Sequence, residues 1–189
     1  EALRVLKLRN EKVTPYPYMG LWGFRFNSTT LIQPIFSEQP VDLHNGFFMV
    51  KLGETAGLVN YYSEVVMDWT VLKCDNLSID VTNNRVLFHD KGQWGVADLE
   101  GKILIQPQFE AISPWSNSLY RVRASSRLWG LHNIEDQTIV ECIYENIGDL
   151  MSGKAEANLR DKDKSWITHK GFLDANGDVI DSKSKILND

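Results

Sequence analysis

The sequence predicts an all-β fold of tandem β-hairpin repeats, each about 35 residues long, and three observations predict it. A Trp-Gly pair, or a degenerate equivalent, recurs along the chain at near-constant spacing. Each recurrence is followed by two short apolar runs joined by a Gly-containing turn, which is the pattern of a hairpin. No segment sustains a 3.6-residue apolar period over 12 residues, so helices are not expected. The expected assembly of these hairpins is an open, solenoid-like array. A closed, propeller-like ring is the alternative, with the N-terminal "LRVLKL" available to complete it.

The repeat is read from its glycines. Gly23, Gly95 and Gly130 follow Trp22, Trp94 and Trp129. The last two glycines are 35 residues apart, and Phe109/Tyr144, Ile112/Ile147, Trp115/Leu150, Tyr120/Ala155 and Val122/Ala157 keep the same step without insertion. From Gly23 to Gly95 is 72 residues, close to two steps, and "TAGLVNYYSEVVMDWTVL" supplies the missing copy with Ala56-Gly57 in place of Trp-Gly. A partial fifth copy is "KGFLDANGDVI", where Lys170-Gly171 replaces the pair and Gly177 matches Gly101. Units therefore start near 20, 55, 92 and 127, with the partial one near 168. The repeat domain spans 20–181, between an N-terminal cap or junction segment at 1–19 and a C-terminal tail at 182–189.

Within a unit, "WGVADL" and "KILIQP" are joined across Glu100-Gly101, and Asn176-Gly177 serves the same purpose later. Glycine tolerates the positive φ that such turns demand. Pro34 and Pro107 are expected to end the second strand, because proline cannot donate to a ladder. A second turn at Asn45-Gly46 or Asn117-Ser118 leads to a third strand, "FFMV" or "LYRV". Phe48, Tyr120 and Ala155 lie 25 residues past their glycines and Val50, Val122 and Ala157 lie 27 past, so both sets should share one face. The shrinkage to alanine in the last copy predicts a bulky neighbour there, with Trp166 the nearest candidate. Trp22, Trp94 and Trp129 are expected to be buried, and Gly23, Gly57, Gly95, Gly130 and Gly171 to admit a neighbouring backbone.

These residues resemble the tryptophan–glycine (WG) repeat family, found widely in bacterial proteins. The likeness covers roughly 20–181, close at Trp94 and Trp129, good at Trp22 and weaker at Gly57 and Gly171. The resemblance implies a β-rich repeat domain and carries no catalytic signature. Ala56 and Lys170 in place of Trp, and Glu141-Cys142 in place of Gln-Pro, depart from the pattern.

Composition bounds the function. The 189 residues are 43% hydrophobic and 24% charged, as in a folded domain. A net charge of −5 offers no basic field for nucleic acid or for an anionic membrane surface. No apolar run reaches the length of a membrane span, so a soluble protein is expected, cytoplasmic or exported from a bacterium. "EALRVLKLRN" lacks an initiator Met and a signal-like core, which suggests an excised domain or processed product. Cys74 and Cys142 are neither a disulfide framework nor a metal-type pair and read as free thiols.

Chemistry is sparse. His44, His89, His132 and His169 occupy different repeat positions with no metal-ligand spacing, so no metal or other cofactor is expected. "DANGD" at 174–178 and "DKDKS" at 161–165 lack the glycine that a calcium loop needs at its sixth position, where Val179 and Trp166 stand. No phosphate-cradling or nucleophile-elbow motif occurs. Asn27 and Asn76 head glycosylation-type tripeptides, relevant only to a secreted eukaryotic chain. Tyr16, Tyr18, Tyr61, Tyr62, Trp69 and Trp166 are aromatics outside the matched positions. "TPYPYMG" is expected to be an extended segment that seals the end of the array. Tyr61, Tyr62 and Trp69, in the most irregular unit, are the candidate binding residues. The expected function is a non-enzymatic binding or scaffolding module acting on protein. Carbohydrate binding through exposed aromatics is the alternative, and a carboxylate-dependent hydrolase, drawing on pairs such as Glu141 and Glu145, comes third.

Overall fold

The computed structural model describes residues 2, 7, 10–135, 137–160 and 168–181. Ala2 and Lys7 are helical, and every extended element among the described residues is a β-strand in an antiparallel sheet. The all-β expectation holds, and none of the four sheets closes into a barrel. "DKDKS", Trp166, most of "LRVLKL" and the tail at 182–189 lie outside the described residues.

The first sheet contains β1 (Thr14–Tyr18), β2 (Leu21–Phe26) and β3 (Thr29–Phe36), in that order. The second contains β4 (Val41–Asp42), β5 (Phe47–Leu52), β6 (Thr55–Asn60) and β7 (Val65–Lys73). The third contains β8 (Asn76–Asp80), β9 (Arg85–Asp90), β10 (Gln93–Asp98) and β11 (Ile103–Phe109). The fourth has seven strands: β12 (Ala111–Pro114), β13 (Leu119–Arg123), β14 (Trp129–Asn133), β15 (Gln137–Ile147), β16 (Lys154–Arg160), β17 (Thr168–Asp174) and β18 (Val179–Asp181). The second, third and fourth sheets begin at Val41, Asn76 and Ala111, each 35 residues after the last, so the period of the sequence is also the period of the sheets. Each sheet opens with the outer hairpin that the sequence places at the end of the preceding unit. The Trp-Gly strand lies inside the sheet, as β2, β6, β10 and β14.

The strands gather into two compact units, residues 1–91 with 96–103, and residues 92–95 with 104–189. In the first unit the sheets stack through alternating side chains. Phe48, Val50 and Val59 of the second sheet join Phe24, Phe26 and Phe36 of the first in one cluster. Met49, Ala56, Leu58, Met67 and Leu72 join Leu77, Val86, Phe88 and Ala97 in another. Successive residues on a strand point to opposite faces, so the second sheet is buried on both.

In the second unit one cluster holds Leu119 and Leu131 with Ala155, Ala157 and Leu173. The seven-stranded sheet must therefore fold across β15, which pairs with β14 on one side and with β16 on the other. Phe48, Tyr120, Ala155, Val50, Val122 and Ala157 are all buried, as the third-strand alignment requires. The bulky member of the Ala155 and Ala157 cluster is Trp115, whose indole N–H donates to Gly148 O at 3.0 Å.

Two expectations are corrected. Pro34 and Pro107 do not end their strands; β3 and β11 run through them. Trp22, Trp94 and Trp129 are half-buried, while the residues two further on the same face (Phe24, Leu58, Val96 and Leu131, the second of these following Ala56) are fully buried. The indole stands at the margin of the sheet because it is the first or second residue of its strand; the guanidinium carbons of Arg121 and Arg123 lie over the Trp129 ring, 5.6 and 5.5 Å from its centroid.

The passage of β3 through Pro34 has its cause in the register. Between the Trp22–Phe36 and Phe24–Ile32 pairs β2 advances two residues and β3 four. The same slip separates Trp129–Tyr144 from Leu131–Val140, and between Ala56–Leu72 and Leu58–Met67 the neighbouring strand advances five residues. The neighbouring strand bulges over the repeat glycine, and the proline position lies in the bulge. A Cβ on Gly23 would lie 2.5 Å from Ile32 O and 2.8 Å from Pro34 N, and one on Gly130 would lie 2.4 Å from Val140 O.

The segment "TPYPYMG" is a hairpin arm. Met19 and Gly20 both have positive φ, 50° and 83°, and Tyr18 pairs with Leu21, which is a two-residue turn of the kind that strand twist favours. Counting back from that closing pair, Pro15 and Pro17 occupy the positions whose amides would point away from β2. Proline has no amide hydrogen, so this edge offers no donor to a further strand. That is a physical basis for sealing the sheet.

Candidate functional site

Four hairpins share one turn, held by an Asx side chain. The Asp98 carboxylate accepts from the amides of Glu100 and Lys102 at 3.1 and 2.8 Å, and Asp174 accepts from Asn176 and Asp178 at 2.9 Å. Asn60 accepts from Tyr62 and Glu64 at 2.9 Å, and Asn133 from Glu135 at 2.9 Å. A short polar side chain that bonds backbone two residues on fixes the turn whatever follows it. The two residues after the anchor are therefore free to vary: Tyr61-Tyr62, Leu99-Glu100, Ile134-Glu135 and Ala175-Asn176. "DANGD" is this turn.

Tyr61 and Tyr62 thus stand at the tip between β6 and β7, both half-buried. Tyr61 receives most of the local structure. Its hydroxyl donates to Asp42 Oδ1 at 2.5 Å, its amide donates to Gly46 O, and its carbonyl accepts from the Val13 amide, both at 2.9 Å. Its ring lies 5.1 Å from Phe48. Tyr62 donates to Asn10 Oδ1 at 3.1 Å, and Lys7, ion-paired with Glu64, lies over its ring.

Trp69 is elsewhere in the same unit, in the bulge above Gly57, at the position that Pro34 and Cys142 take over their glycines. Its ring meets Phe36 edge-on at 5.0 Å. The line Tyr61–Phe48–Phe24–Phe36–Trp69 is continuous, with centroid separations of 5.1, 5.1, 6.0 and 5.0 Å. The structure thus brings the candidate aromatics to one cluster, with Tyr61 and Trp69 at opposite ends of a row of rings.

The polar residue that sequence reasoning missed is Asp42. On β4 it pairs with Phe48. Lys12 Nζ lies 2.6 Å from its Oδ2, and the His44 amide donates to its Oδ1 at 2.9 Å. Burial works against the charge of this carboxyl, but hydrogen bonds from Lys12, Tyr61 and the His44 amide outweigh it and bring its pKa down to about 2. The bond to Asp42 chiefly, with burial, raises the Tyr61 phenol, and the same ion pair raises Lys12. The available signal was an acidic residue in a strand position that is apolar in the neighbouring units.

A cleft of about 290 Å³ lies among Lys51, Lys73, Lys91, Glu54, Asp75 and Asp90, with Gly53 and Cys74. Its charges balance, and several are already paired: Lys73 with Glu54 at 2.5 Å and His89 with Asp75 at 3.2 Å. Burial, reinforced by the Asp75 charge, pushes the Cys74 thiol up to about 12, far from the thiolate that nucleophilic chemistry needs. Cys74 and Cys142 are both free. Burial lowers His132, whose ring lies 5.5 Å from Phe109. Among the described residues no three His, Cys, Asp or Glu side chains are grouped to hold a metal, and no helix is long and apolar enough to cross a membrane.

Repeated four-strand meanders with glycine-bulge crossings and Asx-anchored turns define an antiparallel β-repeat module. More narrowly, residues 94–124, the third Trp-Gly strand and the strands after it, match the family model described as the WG containing repeat. Among solved structures the chain is similar to the computationally designed protein Ika8, with a TM-score of 0.40 and 9% identity over 89% of this chain and 60% of that one. It is also similar to a chain from the S. cerevisiae complex of a Dbp5 variant with Nup159, a Gle1 variant, IP6 and ADP, with a TM-score of 0.38 and 11% identity over 92% of this chain and 56% of that one. The chain spans less than two thirds of the length of either. No curated protein matches.

Proposed function

We propose that this repeat module is a non-enzymatic binding or scaffolding domain that recognises protein. The observation that carries the reading is the anchored turn: in four hairpins a fixed Asx frame presents residues that differ from one unit to the next, while the apolar framework is consumed between sheets. Repeat arrays bind through the positions their stacking leaves free. The tips differ in chemistry, from Tyr61-Tyr62 to Ile134-Glu135, as selective contact with a protein surface requires. A stacking platform for sugar needs uncovered ring faces, and the Tyr61, Tyr62 and Trp69 rings each have an intramolecular neighbour.

The test is to capture proteins on the immobilised chain, identify one, and measure its affinity for chains carrying Tyr62→Ala, Glu100→Ala or Glu135→Ala. Weakened binding at an unchanged melting temperature supports the reading. Affinity indifferent to every tip, or selective retention of a glycan instead of protein, rejects it.

A further inference from the structure

We propose that Asp42, Phe48 and Tyr61 form a docking site for a lysine side chain of a protein partner, and that Lys12 of the chain's own N-terminal segment fills it in the structure. This rests on the protein-binding reading and names the chemistry of the partner. Lys12 Nζ is 2.6 Å from Asp42 Oδ2, 5.0 Å from the Tyr61 ring centroid and 5.9 Å from that of Phe48. A carboxylate flanked by ring faces is the arrangement that holds an ammonium.

The polar members are departures from the framework. Asp42 lies opposite Phe48, nine residues before Gly57 and 25 after Gly23; Val86, nine before Gly95, faces Ile79, and Tyr120, 25 after Gly95, faces Pro114. Tyr61, four residues past Gly57, has Asn27, Leu99, Ile134 and Ala175 as its counterparts. Asp149, 35 residues after Pro114, repeats the aspartate, but its unit has Ala175 at the phenol position, so the carboxylate and phenol that bond to each other occur together only in this unit.

The site also selects among cations. Asp42 Oδ1 already accepts from the Tyr61 hydroxyl and the His44 amide, with His44 Nδ1 a further 3.7 Å away, so one oxygen remains for a ligand. A single acceptor suits the point charge of an ammonium and forfeits the two-pronged bond that guanidinium makes. The occupant is replaceable. Val13 is buried and its amide bonds to Tyr61 O, whereas the Lys12 side chain is 53% exposed beside an Asp42 that is 20% exposed. The ammonium can leave while Val13 stays anchored.

The experiment uses the full chain with Lys12→Gln to vacate the site, titrated with a synthetic peptide of residues 7–13. A covalently tethered competitor acts at high effective concentration, so the variant is expected to bind the peptide at least about tenfold more tightly than the unaltered chain. Amide shifts should centre on Asp42, His44 and Tyr61. Acetylation of the peptide lysines, their replacement by arginine, or Asp42→Asn in the Lys12→Gln chain should each weaken binding. Equal affinity of the Lys12→Gln and unaltered chains, or binding indifferent to Asp42→Asn in a folded chain, overturns the proposal. A captured partner that still binds the Asp42→Asn chain and still responds to the turn variants would overturn this site while leaving the broader reading standing.

Discussion

A Cβ placed on Gly57 would stand 2.6 Å from the backbone nitrogen of Trp69, on the strand beside it. The obstructing atoms at Gly57, Gly23 and Gly130 are all backbone, held by the ladder pairs on either side of the bulge. No rotamer change relieves such a contact. Gly130→Ala and Gly57→Ala should each cost about 3 kcal/mol, at the upper end of the range for overpacked sites. Trp94→Ala removes a half-buried ring and should cost less than the 3–5 kcal/mol of a fully buried aromatic, at about 2 kcal/mol. Urea unfolding checks the order; a Gly130→Ala chain as stable as its parent would contradict the bulge.

The turn anchor separates charge from geometry. Asn60 and Asp98 make the same pair of backbone bonds, so what matters is a short side chain with one well-placed oxygen. Asp98→Ala should lose about 1–2 kcal/mol for two hydrogen bonds partly recovered by water, while Asp98→Asn should stay within about 0.5 kcal/mol of the parent. Thermal melts of the two variants decide it. An asparagine variant as damaged as the alanine one would mean that the carboxylate charge holds the turn.

Much of this fold is legible in the sequence because its spacing is enforced by backbone contacts. The 35-residue step survives in the sheet starts, and "DANGD" is readable as a turn from its residue types alone. Proline gave the wrong strand ends, since the rule that it cannot donate to a ladder does not distinguish an end from a bulge, and Pro34 and Pro107 fall within β3 and β11. Tryptophan gave the wrong depth. Size predicts burial, but position at the head of a strand sets the indole at the margin. The candidate site was half legible. Tyr61 and Tyr62 stand out as aromatics in an irregular unit, whereas Asp42 and Lys12 are joined only by the N-terminal segment crossing the second sheet, a long-range contact without a local pattern.

The two thiols should differ in reactivity. Cys74 is buried and its thiol is pushed up to about 12, so it holds almost no thiolate at neutral pH. Cys142 is half-buried, and burial raises its thiol as well. In the native chain a disulfide reagent should label Cys142 at least about tenfold faster than Cys74, and denaturant should make the rates similar, because accessible thiolate sets the rate. Mass spectrometry of partly labelled chain reads the site directly. Preferential native labelling of Cys74 would contradict its burial.

The ion pair at Asp42 predicts how stability responds to acid. Its folded pKa lies at about 2 against an ordinary 3.8, so the carboxylate stabilises the fold fully above the unfolded value and loses that contribution as pH falls from about 4 through about 2. Asp42→Asn abolishes the dependence, and the stability gap between the two chains should be flat above pH 5 and close below pH 4. Two further variants apportion the shift. Lys12→Gln removes the cation, Tyr61→Phe removes the phenol donor, and each should move the Asp42 pKa upward toward 3.8 when its side-chain carboxyl carbon is followed by NMR. At the alkaline end the sign reverses. The Tyr61 phenol is raised by its bond to Asp42, so its contribution is complete below the ordinary tyrosine range and disappears as pH rises through the higher folded value. An Asp42 carboxyl that titrates near 3.8 in the unaltered chain would show that neither Lys12 nor Tyr61 holds it in solution.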